Sequence, residues 1–373
     1  MFKKSSIGRL FSKPVFTMTF KKTLPQGILF LLAGVLLPFY AMWRISENEL
    51  SPGRFYIFIK LFLMAVALLA PFFVFPAFSH LFSKRKSDLM ESLPESRASF
   101  ACSALLACML WMTVIGLCTL FSCLLAPIFL REYTFSQLFE GQHAVVSPLL
   151  AALLAPYLLA LSFLAVSLCG RLEGAILMLL VLLFAPGLLA LSVESTFFAA
   201  AGSQAPSSLF FVGVPLWRLI ISEIEHDFRP TALQLFTALL EILLCFFAAA
   251  FFFIRRKSEK SGVLTLHPLL SRLMVSLLTL LPFLISLLFF SNEYSGHGHA
   301  ISLGAVAADL IDSMSKGVYL YLFAASLIAF PVCALLIERR AVGVWKALLT
   351  HAAVVSALVL LIFSFVVIHY LWG

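Results

Sequence analysis

Residues 148–193 read PLLAALLAPYLLALSFLAVSLC, then GRLE, then GAILMLLVLLFAPGLLALSV. A bilayer core of about 30 Å is crossed by roughly 20 residues of helix rising 1.5 Å each. Each apolar run meets that length, and the two together exceed one crossing. Gly170-Arg171-Leu172-Glu173 is therefore expected to be a tight turn between two spans. Neither run alternates apolar and polar positions, as a membrane barrel strand would. A segment in lipid must satisfy its own backbone groups, and a helix does so within itself. The expected fold is an all-α, polytopic membrane protein.

The same pattern extends in both directions. Nine spans are expected, at about 27–43, 55–82, 100–129, 148–169, 174–193, 231–254, 273–290, 317–337 and 347–372. Composition agrees: 62% of the chain is hydrophobic and 12% charged, about half the charge of an ordinary soluble domain. Mean hydropathy is +1.05. One aqueous core cannot bury that much apolar surface, so lipid must solvate part of it. The seven cysteines (Cys102, Cys108, Cys118, Cys123, Cys169, Cys245 and Cys333) lie in or beside apolar runs without a CxxC pair. They read as small packing residues. The basic N-terminus leads into a run that starts near Gly27 and spans fully, which reads as a retained first helix rather than a cleaved signal.

Loop charge sets the orientation, because Lys and Arg concentrate on the cytoplasmic side. With the N-terminus inside, nineteen of the 26 basic residues fall on inner segments. The outer segments hold Glu47, Glu49, Glu132, Glu140, Glu194, Glu223, Glu225, Asp227, Glu293, Asp309 and Asp312. The net charge of +8 is thus a topology signal with an attraction to anionic headgroups, and no nucleic-acid partner is expected. Nine crossings would leave the C-terminus outside.

Two segments are neither span nor simple loop. In residues 1–26, Phe2, Ile7, Leu10, Phe11, Val15 and Phe16 interleave with Lys3, Lys4, Arg9 and Lys13. That pattern suits an amphipathic helix on the inner leaflet, with Pro14 expected to kink or end it. In the outer segment 195–230, the apolar stretch from Leu209 to Ile221 is too short to span and suits a re-entrant helix.

The loop after the second span reads KRKSDLMESLPESR, Lys84 to Arg97. Asp88 and Glu91 lie at helical spacing, Leu89 and Leu93 make a small apolar face, and Pro94 stops the helix. A short helix along the membrane, offering Leu, Met and charge, suits a cytoplasmic partner. The plainer reading is a basic loop that only sets topology.

This run resembles the loop after the second helix in permeases of ATP-binding-cassette (ABC) transporters. More narrowly, it is similar to the ABC type-2 membrane-spanning subunits of low-GC Gram-positive bacteria. Their pattern is a basic cluster, an acidic residue, then Ser-Leu-Pro and Arg. It falls here on Lys84, Arg85, Lys86, Asp88, Ser92, Leu93, Pro94 and Arg97. That family often has His where Glu91 stands and Ile where Glu95 stands. After the sixth span, Arg255, Arg256, Lys257, Ser258, Glu259 and Gly262 resemble the family's basic-Ser-Glu run.

The resemblance implies an elbow helix over 1–26 and a six-helix core over 27–254. That core would carry a coupling loop at 83–99 and outer re-entrant helices within 195–230. A basic loop and three further spans would occupy 255–373. It implies a permease subunit, an exporter in the cell membrane, docked on a dimer of ABC ATPase subunits through the 84–97 loop. The permease would pair with a second permease chain, identical or paralogous. No GxxxxGK[ST] phosphate loop occurs in the chain, so ATP and Mg would be held by the partner. No catalytic residue and no cofactor is expected in this chain.

Glu241 stands near the middle of the sixth span, where charge is costly. It either lines a pathway or interface, or is satisfied within one bundle. His351 and His369 read as interfacial. His143, His226, His297, His299, Asp309 and Asp312 do not hold a fixed spacing, so no metal site is expected. Pro71, Pro76, Pro186, Pro282 and Pro331 lie within spans and are candidate kinks. Two other functions compete: a membrane enzyme acting on lipid, which needs a converging polar set at one depth, and an ion-coupled transporter, which needs ionisable or helix-breaking residues at the midplane. The apolar interior favours an amphiphilic, peptide, lipid-like or drug substrate.

Overall fold

The computed structural model describes residues 11–46, 62–92, 95–125, 128, 143–185, 232–256, 272–277 and 349–354. Every regular element among them is helical. Four helices are long and apolar enough to cross a membrane: Lys13–Arg44, Arg97–Leu124, Ala151–Leu168 and Leu235–Arg255. Two shorter apolar helices, Phe62–Ala77 and Leu172–Ala185, complete a helix at the described part of each of the first six expected spans. The 195–230 segment, residues 1–10 and most of the last three expected spans lie outside the described residues.

The chain divides into two compact units. The first is Met1–Ala175 with Arg218–Val263, the second Ile176–Trp217 with Leu264–Gly373. In the first unit, α1 is Lys13–Ser46. Pro14 falls in its first turn, where a missing N–H leaves no hydrogen bond unmade, so it opens the helix instead of ending it. α1 then runs without a break through residue 26, so residues 13–26 of the amphipathic stretch and the first span are one helix. At about 51 Å it exceeds the hydrocarbon thickness. Its basic first third therefore projects beyond the apolar part that begins at Gly27.

The second expected span is interrupted. Residues 62–67 are helical, Leu68 and Leu69 form a turn, and α2 resumes at Ala70–Ala77. Pro71 lacks the N–H that would bond Ala67, and the turn is closed by i→i+3 bonds such as Leu69 N to Val66 O, 3.1 Å. The helix ends at Ala77, short of the expected residue 82. A 3-10 turn, Ser79–Phe82, carries the chain onward. Phe78 and Leu81 are apolar because they are buried among other side chains, a cause that hydropathy does not separate from contact with lipid.

A short helix, α3, follows at Lys84–Glu91, then α4 at Arg97–Leu124, whose Ser96 hydroxyl accepts the Ser99 N–H. α5 is His143–Leu168. Residues 157–166 of α5 are buried on all sides, so it is the central helix of this unit. Helix breaks at residues 169–171, and α6 begins at Leu172. The break overlaps the expected turn at 170–173, of which Leu172 and Glu173 already belong to α6. α7 is Ala232–Arg255.

α1 and α4 run parallel and close. The buried face of α1 repeats every four residues as Val15, Thr19, Thr23 and Gly27. A Cβ on Gly27 would sit 2.5 Å from the Trp111 ring, and one on Gly34 would sit 2.6 Å from the Thr119 hydroxyl. Membrane helices approach through small residues because dispersion, not water exclusion, holds them together. Trp111 is stacked on Phe20, with ring centroids 4.7 Å apart. The opposite faces stay exposed and apolar: Leu29, Leu32 and Leu36 on α1, and Phe236, Leu244 and Phe247 on α7. Lipid solvates such faces. Tyr40 and Trp43 mark the far end of α1, where aromatic residues favour the membrane–water boundary.

In the second unit, residues 272–277 and 349–354 are helical. Ser276 Oγ lies 2.9 Å from His351 Nδ1, both side chains buried. His351, expected at an interface, is a packed residue there. The six cysteines among the described residues are all free thiols.

Gly27→Ala is expected to displace Trp111 and cost about 1–3 kcal/mol, the usual range for overpacking. Gly116→Ala is the control, because a Cβ there meets only Val66, at 3.9 Å. Thermal unfolding of the two variants in mild detergent checks this. Equal midpoints would mean that α1 and α4 are not in close contact.

Candidate functional site

The basic segments singled out in the sequence meet at one end of the first unit. α1 and α4 begin there: Ser12 N donates to Ser103 Oγ at 2.7 Å, and Ser12 Oγ donates to Glu95 Oε1 at 2.9 Å. α2, α5 and α7 finish there. This alternation is what successive crossings require.

Arg256, the residue after α7, ties that helix to the end of α5 and to the 3-10 turn that follows α2. Its side chain is only 4% exposed. Nη1 donates to Val166 O and Cys169 O, both at 2.8 Å, and Nη2 donates to Leu81 O at 2.7 Å. The last carbonyls of a helix lack intrahelical donors and carry its negative pole. A planar guanidinium with several fixed donors can serve more than one such end at once. Arg97, at the start of α4, does the same for α7, donating from Nη1 to Ile254 O at 3.1 Å and to Arg256 O. The loop after α2 and the segment after α7, similar in sequence, are thus joined by hydrogen bonds.

An aromatic cluster lies under this knot. Phe78 is fully buried, with its ring 5.0 Å from Phe163, 5.6 Å from Phe253 and 6.0 Å from Phe100. His80 packs edge-on to Phe100 at 4.8 Å. Burial first, then the nearby charges of Lys22 and Arg256, lowers the His80 pKa to about 4.

α3 stands out from this end. Lys84, Arg85, Lys86, Asp88 and Leu89 are exposed, Leu89 by 67%, while Ser87 is buried. With 100° per residue, an inward Ser87 puts Arg85 and Leu89 on the outward crest. The expected short helix is present, with Glu91 as its last residue and Ser92 closing it through Oγ to Leu89 O at 2.6 Å. Leu93 and Pro94 lie outside the described residues, as do Lys257, Ser258, Glu259 and Gly262. Arg97, expected among the docking residues, is half-buried and donates to carbonyls at the end of α7. Arg255 is exposed, its guanidinium 4.1 Å above the Phe251 ring.

Glu241 is further along the bundle. Tyr157 on α5 donates its hydroxyl to Glu241 Oε1 at 3.1 Å. The carboxyl group is therefore bound inside one bundle. Among the described residues no group of three or more His, Cys, Asp and Glu side chains is placed to share a metal ion.

Sequence reasoning treated Arg256 as one of a basic run. A signal was present: Ala238, Ile242, Ala249 and Phe253 form the buried stripe of α7, and Arg256 continues it at i+7 from Ala249 and i+3 from Phe253. Tyr157 had no such signal, because a tyrosine in an apolar helix fits many environments. Comparison with protein-family models, with curated proteins and with solved structures finds no match.

Arg256→Gln is expected to cost ~3 kcal/mol, since charge-assisted bonds to three buried carbonyls are lost together. Arg256→Lys should restore only part, lacking the fork. Denaturation in detergent measures both, and a neutral Arg256→Gln would show that the knot is not structural. His80 gives a pH dependence. Its folded form takes a proton only near pH 4, whereas the unfolded form takes one near 6.5. Its contribution is full above pH 6.5 and declines as pH falls toward 4. The unfolding midpoint of His80→Phe should therefore fall less over that range than that of the wild type.

Proposed function

We propose that this chain is the permease subunit of an ABC transporter of the type-2 class, an exporter with a six-helix core within about nine spans. The observation that carries this is α3: a short exposed helix between two membrane helices, fastened at its base by Arg97 and Arg256. A helix so placed gives a soluble partner a handle. Force on α3 is delivered through carbonyl-bound guanidinium groups to the turn after α2 and to the ends of α5 and α7, and rigid elements with fixed contacts move together. The partner is a cytoplasmic dimer of ATPase subunits, which bind ATP and Mg. A second permease chain completes the pathway, and the assembly sits in the cell membrane. The knot lies at the cytoplasmic end by the positive-inside rule.

The outward crest of α3, Arg85 and Leu89 with Asp88 beside them, is the contact surface. Arg97 supports it from within. The substrate class is amphiphilic, in keeping with the apolar helix surfaces. The alternatives, a lipid-modifying enzyme or an ion-coupled transporter, draw less support, because Glu241 is already bound by Tyr157.

The test is purification of the full chain from its native host in mild detergent, with identification of soluble proteins that co-elute. An ATPase is expected, and Leu89→Asp combined with Asp88→Arg should weaken its retention by about thirty-fold, as loss of a central contact of ~2 kcal/mol would. Both side chains are exposed, so the variant should fold. Absence of any ATPase from the wild-type preparation would sink the permease reading.

A further inference from the structure

The basic end carries cations that no described acidic residue pairs with. Lys13, Lys21, Lys22, Lys84, Arg85 and Lys86 are exposed, and none forms an ion pair with another described residue. Two of them are brought together across different elements. Lys22 Nζ on α1 donates to Ser79 Oγ at 2.7 Å, and Ser79 opens the turn that leads into α3. Lys86 is exposed on α3, which begins two residues beyond that turn. Two ammonium groups and a hydroxyl thus face the same solvent without an acidic partner among the described residues.

Their depth is specific. Lys22 precedes Gly27, where the apolar part of α1 begins, by about 7.5 Å along the helix axis. That is the level of lipid headgroups. Below Lys22, on the same side of α1, stand Leu29 and Leu36 at i+7 and i+14, exposed by 63% and 62%. A cationic cradle therefore surmounts an exposed apolar ridge. This is the chemistry of one phospholipid: a phosphate above, an acyl chain below. Free phosphate would use only the upper half. A zwitterionic headgroup would bring its own ammonium against Lys22 and Lys86, so an anionic headgroup fits better.

We propose that Lys22, Ser79 and Lys86 bind the phosphate of an anionic phospholipid in the leaflet at this end, with an acyl chain lying along Leu29 and Leu36. The site does not depend on the permease reading. It would hold for any membrane protein with this arrangement.

The test places the full chain in nanodiscs of phosphatidylcholine with and without phosphatidylglycerol. Retained lipid is counted by native mass spectrometry, and the unfolding midpoint is measured in parallel. Phosphatidylglycerol should be retained by the wild type and raise its midpoint. Lys22→Gln and Lys86→Gln should each weaken retention about five-fold, the equivalent of ~1 kcal/mol per basic residue at an anionic surface, while Lys22→Arg with Lys86→Arg should keep it. Lys13→Gln with Lys21→Gln removes as much charge from the same end and should leave retention unchanged. Equal loss in that control would show net charge rather than a site, and would overturn the proposal. So would wild-type retention in Lys22→Gln with Lys86→Gln, or an equal midpoint shift produced by inorganic phosphate in phosphatidylcholine discs. All the substituted side chains are exposed. If the paired Gln variant is nevertheless poorly folded, Lys86→Gln alone decides, and retention equal to wild type there would count against the site.

Discussion

One guanidinium holds the basic end of the first unit together. α5, α7 and the 3-10 turn after α2 finish there, with carbonyl groups that no longer have a backbone donor. In water such groups are hydrated. At a tightly packed end, among Phe78, Phe163 and Phe253, they need a protein donor. Arg256 supplies it to Leu81, Val166 and Cys169, and Arg97 supplies the end of α7. The bonds run from charged donor to helix pole, so they are stronger than neutral ones. They also fix geometry, since one rigid plane reaches carbonyls from separate elements. The position of α3 follows from this, because α3 begins just beyond Leu81 and its loop returns to Arg97.

Away from that end the helices are held differently. α1 and α4 meet where Gly27 and Gly34 let the backbone come close, and Trp111 fills the space against Phe20 and Phe73. No apolar surface is gained by hiding it from lipid, so fit and dispersion carry the contact. The outward rows of Leu and Phe on α1 and α7 are left exposed at no cost in a hydrocarbon solvent. The same rows in water would drive aggregation. The molecule thus combines a polar knot at one end with a tightly fitted but apolar body. Under the proposed permease function, a push applied at the knot would reach α5, α7 and the turn after α2 together.

Much of the fold was legible because the signals are long. Apolar runs of spanning length place helices in the described parts of the first six expected spans, and a break at residues 169–171, overlapping the expected turn at 170–173, separates two of them. Short-range chemistry also reads well: Lys84 to Glu91 forms its helix, and Pro71 interrupts the second span. Boundaries set by tertiary contact do not read. Phe78 and Leu81 look like membrane residues but are packed among aromatic rings, and Pro14 looks like a breaker but opens a helix. The candidate site was half legible. The exposed residues of α3 stood out by charge, whereas the role of Arg256 depends on which face of α7 is buried, and that of Tyr157 on which helix lies beside Glu241. A hydropathy pattern records the solvent a residue prefers, not the neighbour it finds.

We propose that the α3 crest is where a soluble nucleotide-driven partner engages this membrane protein. Photo-crosslinking in living cells tests it at single-residue range, with a photoreactive amino acid placed at Leu89 and, for comparison, at Leu36 on the lipid-facing ridge of α1. A protein adduct that contains an ATPase subunit is expected from position 89, and only lipid adducts from position 36. Adducts from position 89 that contain lipid alone, in cells where the chain is folded and in the membrane, would contradict it.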